Sequence, residues 1–266
     1  MSGQDRGRLL AALAALASEA GAGIARAAEQ GLAPRDKGDK GPVTAADEAS
    51  EEILRAGLAR LLPGVPIVSE EAFDRGEVAE AATEFLLVDP LDGTRELVAG
   101  RPEYAINIAL IAGGAPLLGV LYAPAYGQLY GGADGQAFKA PLSLGAPFDP
   151  ERAETIRARP RPKQLVAALS RSHLDPASEA FLAGHAVERR IVLGSALKFA
   201  LIAEGIADVY PRLAPVREWD VAAGHALITA AGGRVERRDG GTLRYGRRDA
   251  GFLVEGFVAW GAPPAA

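Results

Sequence analysis

Hydrophobic positions first recur at helical spacing. Leu9, Leu10, Leu13, Leu16 and Ala20 fall three and four residues apart, the series continues through Ile24 to Ala28, and Gly31 supplies a stop. This predicts an N-terminal amphipathic helix. Residues 34–42 read as loop from their Gly, Pro and charge content. A second helix is predicted from about Ala45, capped by Thr44, with Ile53, Leu54, Leu58 and Leu61 on one side and a stop at Pro63-Gly64. The signal then changes to short apolar runs at 66–69, 84–88, 104–112, 116–122, 128–131 and 137–142, mostly divided by Gly or Pro. These predict strands, the last four as a meander.

After the meander, strand and helix alternate: strand at 165–169, helix at 176–185, strand at 190–193, helix at 195–204, strand at 207–211 and helix at 220–231. Such alternation favours an α/β arrangement with a partly parallel sheet. A two-stranded piece is expected from 234–237 and 242–245 around Asp239-Gly240-Gly241, and 251–260 reads as a closing strand. The basic stretches 157–163 and 234–248 read as solvated strand edges and turns. The domain boundary is placed near residue 150, giving an N-terminal α+β part (1–150) and a C-terminal α/β part (151–266).

Composition narrows the chemistry. With 266 residues, 48% hydrophobic and 24% charged, the chain has the make-up of a globular protein with a sizeable core. It has no cysteine, which removes disulfides, Cys-ligated zinc, iron–sulfur clusters and thiol nucleophiles. The three histidines, His173, His185 and His225, poorly supply soft-metal sites or Ser-His-Asp catalysis. Any metal is expected on oxygen. A net charge of −5 provides no field that would draw the molecule to polymeric nucleic acid or an anionic membrane. No stretch approaches about 20 uninterrupted apolar residues, so no transmembrane segment is expected. The default compartment is the cytoplasm, with peripheral membrane association left open.

The carboxylates are the informative residues. The apolar run 85–88 ends at Asp89, and Asp92 follows three residues later across Pro90. Both carboxylates are expected at the carboxyl end of a strand, where open α/β sheets place ligands. Asp92-Gly93-Thr94 then opens a short helix whose amides suit an anionic oxygen. Asp-Pro and Asp-Gly alone would be ordinary turns. A second acidic strand end, Glu70-Glu71, and a third site at Glu218-Trp219-Asp220 weigh against that reading. Asp220 alone would be a helix N-cap, and the near-bulkless Val221-Ala222-Ala223-Gly224 after it suits close helix packing.

Four segments, Val43-Thr44-Ala45-Ala46-Asp47, Ser69-Glu70-Glu71, Asp89-Pro90-Leu91-Asp92-Gly93-Thr94 and Trp219-Asp220-Val221-Ala222-Ala223-Gly224, resemble the signatures of the inositol monophosphatase superfamily of Mg-dependent, lithium-sensitive phosphatases. Further details resemble its bacterial 3′(2′),5′-bisphosphate nucleotidase branch: Asn107-Ile108-Ala109-Leu110-Ile111, Gly194-Ser195-Ala196-Leu197-Lys198-Phe199, Tyr210-Pro211-Arg212 and Ala223-Gly224-His225-Ala226. Arg95 and Leu97 depart from that branch, which more often has Lys and Phe there.

The resemblance implies a layered αβαβα sandwich with the site between the two parts, and a homodimer by family habit. It implies two or three Mg²⁺ ions on Glu70, Asp89, Asp92, Asp220 and the Leu91 carbonyl. Asp47 and Thr94 would orient the attacking water, shared with Glu70. The Gly93 and Thr94 amides, with Asp92 and Asp220, would hold the scissile phosphate, while Ser195, Lys198 and Arg212 are candidates for the rest of the substrate. Two of these have plain structural alternatives: Asp47 as a dipole-complementing helix residue, and Lys198 as a solvated helix face. The implied reaction is removal of the 3′ phosphate of adenosine 3′,5′-bisphosphate, a by-product of sulfate assimilation. The alternatives are an inositol-1-phosphate or fructose-1,6-bisphosphate phosphatase, or, in another class, an inactive cation-binding or regulatory homologue.

Overall fold

A computed structural model describes residues 2–36, 42–77, 82–172 and 175–264. The first layer is helical. Helix α1 (Gly3–Glu29) starts on a reciprocal cap: the Asp5 amide donates to Ser2 Oγ at 3.2 Å, and the Ser2 amide donates to Asp5 at 3.0 Å. A short antiparallel pair, β1 (Arg35–Asp36) and β2 (Pro42–Val43), leads to helix α2 (Ala45–Leu61). Between β1 and β2, residues 37–41 of the predicted loop lie outside the described residues. By length and composition α1 could cross a bilayer, yet 61% of its most apolar window is buried in the protein. Leu13, Ala17, Ala20 and Ile24 are fully enclosed in the core that α1 shares with α2 and the first sheet.

That sheet has seven strands in sequential order: β3 (Ile67–Ser69), β4 (Glu84–Asp92), β5 (Ala105–Ala112), β6 (Ala115–Ala123), β7 (Gln128–Ala133), β8 (Gln136–Pro141) and β9 (Glu154–Ile156). Only β3 and β4 pair in parallel. Helices α3 (Glu70–Asp74) and α4 (Thr94–Val98) follow β3 and β4 directly. Period-2 alternation gives the sheet two apolar faces. Ile106, Ile108 and Leu110 of β5 point to the α1/α2 core, and Ala105, Ala109 and Ile111 to the opposite core.

The second sheet draws on β10 (Leu165–Ser170), β11 (Val187–Leu193), β12 (Val209–Arg212), β14 (Arg234–Arg237) and β16 (Phe257–Trp260), in the order β11-β10-β12-β16-β14. Strands β10, β11 and β12 run parallel, and β14 and β16 add antiparallel. The small pair β13 (Val216–Arg217) and β15 (Leu253–Val254) stands apart. Helices α6 (Leu197–Ala203) and α7 (Glu218–Ala230) lie between the sheets, their residues sharing one core with both. Helix α5 (Pro176–Ala183) covers the far face through Leu182. Three cores therefore separate five layers, αβαβα, as the sequence resemblance implied.

Several boundaries differ for physical reasons. Strand β4 does not stop at Asp89 before a turn; it runs on to Asp92 with a register shift between the two, so Pro90 and Leu91 form a bulge. Proline is tolerated at a bulge because no ladder donor is needed there. Residues 242–245 form no second strand, only a single bridge from Thr242 to Glu236. The expected closing strand 251–260 breaks into β15 and β16 at Gly256, whose φ is +117°. In the basic stretch 157–163, Arg159 is not merely solvated: it grips buried Asp208 through two contacts of 2.7 and 2.8 Å.

The bulkless start of α7 does permit a close approach. A Cβ on Gly119 of β6 would lie 2.7 Å from the Ala223 carbonyl oxygen and 2.9 Å from its Cα. Both obstacles are backbone and cannot rotate away. Gly119→Ala is therefore expected to destabilise the fold by about 1–3 kcal/mol through overpacking. The measurement is the urea midpoint at constant m-value; a wild-type midpoint would show that α7 yields freely.

Candidate active site

Glu70, Asp89 and Asp220 come from three different places: the first residue of α3, the bulged end of β4 and the first turn of α7. Each offers a carboxylate oxygen, and these atoms lie within 4.8 Å of one another. A β-bulge is a standard device for re-aiming a side chain. Here it sets Asp89 opposite Asn107 and Asp92 opposite Ala105, with Pro90 and Leu91 looped out between. Ser50 of α2 fastens the bulge by donating to the Pro90 carbonyl at 2.7 Å, and the Leu91 amide donates to Asp89 Oδ1 at 3.0 Å.

The two oxygens of Asp47 face different partners. Its Oδ2 accepts from the Thr44 amide at 2.7 Å and the Thr44 hydroxyl at 2.8 Å, which completes the α2 cap. Its Oδ1 accepts from the Thr94 hydroxyl at 2.7 Å. Burial pushes the Asp47 carboxyl up, while the bonds from Thr94 and Thr44 oppose that shift. Gly93 precedes Thr94 with φ +104°, and a Cβ there would meet the Glu103 carbonyl oxygen at 2.9 Å, so the corner needs glycine.

One pocket is lined by Glu70, Asp89, Leu91, Asp92, Gly93, Thr94, Ser195, Lys198, Arg212 and Asp220. Of the residues singled out in the sequence, only Asp47 stands outside the lining, behind Thr94. Asp92, whose Oδ2 accepts the Ala196 amide, stands beside the three-carboxylate cluster, and its charge helps push Asp89 and Asp220 up. Lys198 is not a solvated helix face. It is 2% exposed, its ammonium donates to the Leu193 carbonyl at 3.2 Å and to the Ser195 carbonyl, and it lies 5.1 Å from the Tyr210 ring centre. Ser195, at φ +49°, is a non-glycine residue in the left-handed region. Such strain costs on the order of 1–3 kcal/mol and persists only where the surroundings enforce it.

A latch across the pocket escapes sequence reasoning. Arg171 makes a bidentate pair with Glu103 at 2.7 and 2.6 Å, the Gly194 amide donates to the same carboxylate at 2.7 Å, and Ser172 donates to Glu96 at 2.5 Å. These contacts join α4 and the loop after it to the ends of β10 and β11. In the sequence, Glu96 falls in the predicted short helix and Glu103 and Arg171 in predicted loops, with nothing to mark them as partners. His173 lies outside the described residues. His225 stays neutral against the Tyr245 hydroxyl at 2.8 Å, with burial lowering its pKa to about 4.

The donor set fits a hard cation: it is all oxygen, from carboxylates that crowd one another. Burial and its carboxylate neighbours push Asp89 well up, and burial and Asp92 push Asp220 up to about 7. The five-layered sandwich with this pocket defines an α/β protein equipped to bring a divalent cation and an anionic substrate together. A profile of the inositol monophosphatase family matches residues 5–257, and the chain belongs to that family. It is 41% identical over 230 residues to the 3′(2′),5′-bisphosphate nucleotidase CysQ of Escherichia coli K12, covering 85% of this chain and 89% of that protein. The same name is carried by a Salmonella typhimurium protein, 41% identical over 83% of this chain and 86% of that protein. The crystal structure of CysQ from Bacteroides thetaiotaomicron, 35% identical, superposes with a TM-score of 0.78 over 96% of this chain and 97% of that one.

The pH dependence of the cluster has a definite sign. The ordinary aspartate value is 3.8 and that of folded Asp220 about 7, so between these the folded state holds a proton that the unfolded chain has released. Stability from this source falls as pH rises through that window. Mg²⁺ is therefore expected to stabilise the protein by about 2.7 kcal/mol at pH 8 when present at a hundredfold excess over its Kd there, and by much less at the same concentration at pH 5. Comparing urea midpoints with Mg²⁺ and with EDTA at each pH cancels His225, whose titration is common to both arms. An equal Mg²⁺ effect at both pH values would contradict the assignment.

Proposed function

We propose that the chain is a Mg²⁺-dependent 3′(2′),5′-bisphosphate nucleotidase that hydrolyses the 3′ phosphate of adenosine 3′,5′-bisphosphate to give AMP and phosphate. The observation carrying this reading is that one pocket holds both the Glu70, Asp89 and Asp220 cluster and, among its cationic side chains, Lys198 and Arg212. Glu70, Asp89, Asp92, Asp220 and the Leu91 carbonyl would hold two or three Mg²⁺ ions. When bound, Mg²⁺ supplies a Lewis acid for the phosphoryl oxygens and lowers the pKa of water.

The protein's own groups do the rest. The Thr94 hydroxyl proton is committed to Asp47 at 2.7 Å, which leaves its oxygen lone pairs to orient an incoming water. Glu70 takes the proton of that water as it attacks phosphorus, and the ribose oxygen leaves with the bonding pair and is protonated from solvent. The Gly93 and Thr94 amides, with Asp92 and Asp220, position the scissile group. Among the described residues the Arg212 Nε is buried without a hydrogen-bond partner, so it is a donor open to an anion. With Lys198 and Ser195 it forms a second anchoring region, which suits a substrate with two phosphates. The division of labour follows the two parts proposed at residue 150: 1–150 carries most metal-binding carboxylates, and 151–266 carries Asp220 and the anchors.

Side-by-side kcat/KM values on adenosine 3′,5′-bisphosphate, inositol-1-phosphate and fructose-1,6-bisphosphate test this reading. The nucleotide is expected to lead, and a preference for inositol-1-phosphate would overturn the substrate assignment. Thr94→Val is expected to lower kcat by about 10²-fold or more. Lys198→Gln is expected to raise KM about 10-fold, a loss of about 1.4 kcal/mol, with kcat nearly kept. Wild-type protein that releases phosphate from none of the three with Mg²⁺ would favour a cation-binding homologue.

A further inference from the structure

Behind the Glu70 corner lies a buried glutamate to which the reaction assigns nothing. Glu51 sits one turn after Asp47 on α2 and is 4% exposed. Its Oε1 accepts a 2.6 Å bond from the hydroxyl of Ser69, which is fully buried and immediately precedes Glu70. Ser69 is also the N-cap residue of α3, yet its side chain makes no cap bond to that helix. A serine there would ordinarily bond a first-turn amide, a contact worth about 1 kcal/mol. The local bond is thus forgone for one that spans to α2.

Arginines surround the junction. Arg55 and Arg75 approach Glu51 Oε1 at 3.7 and 3.6 Å, and both are held by Glu77 at 2.7 and 2.8 Å. On its other side Ser69 pairs in register with Val88, the neighbour of Asp89. Glu51 is therefore the point where the helix carrying Asp47 is tied to the strand end that launches Glu70.

We propose that Glu51 is a positioning residue: through Ser69 it fixes Glu70 relative to the Asp47–Thr94 pair, so that both act on one water and one cation. This rests on the catalytic and metal-binding reading of Glu70 given above. A glutamate serving only the fold would touch stability and leave cation affinity alone. The Ser69 bond predicts the reverse, because loss of a group that orients a metal-binding residue costs about 10–100-fold in affinity.

The experiment compares full-length wild type with Ser69→Ala, Glu51→Ala, Glu51→Gln and the Ser69→Ala/Glu51→Ala double variant. Mg²⁺ binding is read by isothermal titration calorimetry, alongside thermal midpoints and nucleotide kinetics. Ser69→Ala and Glu51→Ala are each expected to weaken Mg²⁺ binding about 10-fold or more. The double variant is expected to be no worse than the weaker single, since both remove one contact. Glu51→Gln keeps an acceptor for Ser69 and is expected to stay close to wild type. Activity should fall through kcat and the Mg²⁺ requirement, with the nucleotide KM nearly unchanged. If Glu51→Ala fails to fold, Ser69→Ala decides alone, since it removes one hydroxyl and no cap. Variants that lose thermal stability but bind Mg²⁺ like wild type would overturn the proposal. Wild type that binds Mg²⁺ but releases no phosphate would defeat the phosphatase reading, while the titrations would still judge Glu51.

Discussion

Carboxylates repel, and Glu70, Asp89 and Asp220 present oxygens within 4.8 Å of one another. At an effective dielectric near 20, a pair of unit charges at that separation costs on the order of 3–4 kcal/mol. That is a large fraction of the about 5–15 kcal/mol by which whole domains are stable. Such a cluster persists only if each member is fixed by structure that does not yield. Much of the architecture near the pocket can be understood as meeting that demand.

Each carboxylate is anchored differently. Asp89 is held by a bulge that Ser50 fastens to α2. Asp220 is held because the Arg217 amide donates to it at 3.1 Å and because α7 is pressed onto β6 at Gly119. Glu218, two residues before Asp220, is fully buried and accepts the Gly246 and Arg247 amides at 2.6 and 2.9 Å, so the start of α7 is also tied to the 246–247 loop. Asp47 shows that a capping role leaves a carboxylate free for a second contact. A carboxylate has two oxygens, and here one closes a helix while the other holds Thr94.

The elements were legible where one period dominated. The 3.6-residue spacing of Leu9 to Ile24 and the apolar run 105–111 name the helix and strand that are found, because each buries a continuous stripe or both faces. Of the candidate site, three acidic strand or helix ends stood out from an apolar background, while Asp47, Ser195, Lys198 and Arg212 were picked out only by family resemblance. Geometry was not legible. Nothing in Asp89-Pro90-Leu91-Asp92 distinguishes a turn from a bulge; the pairing of Asp92 with Ala105 decides it, and that contact is remote in sequence. The short pairs β1–β2 and β13–β15 also lack any period, being too brief to repeat. The burial of Lys198 and the Arg171–Glu103 latch were illegible for a related reason: burial of a charge depends on partners that the local sequence does not contain.

Charge distribution, rather than total charge, is the property that matters at the pocket. A net charge of −5 over 266 residues says little about a cleft in which Lys198 and Arg212 both oppose the upward shift of Asp92, and Arg212 also opposes that of Asp220. Only five of the 29 basic residues are lysines, and one of them is buried here against Tyr210. A buried ammonium without a partner is costly, and Lys198 is stabilised by backbone carbonyls and an aromatic face rather than by a committed carboxylate. Its charge is therefore not cancelled by a dedicated ion pair. Among the described residues the Arg212 Nε likewise has no hydrogen-bond partner. The pocket thus sets cationic groups that lack a dedicated ion pair beside a crowded carboxylate cluster, which is the electrostatic condition for taking up a cation and a polyanionic small molecule together.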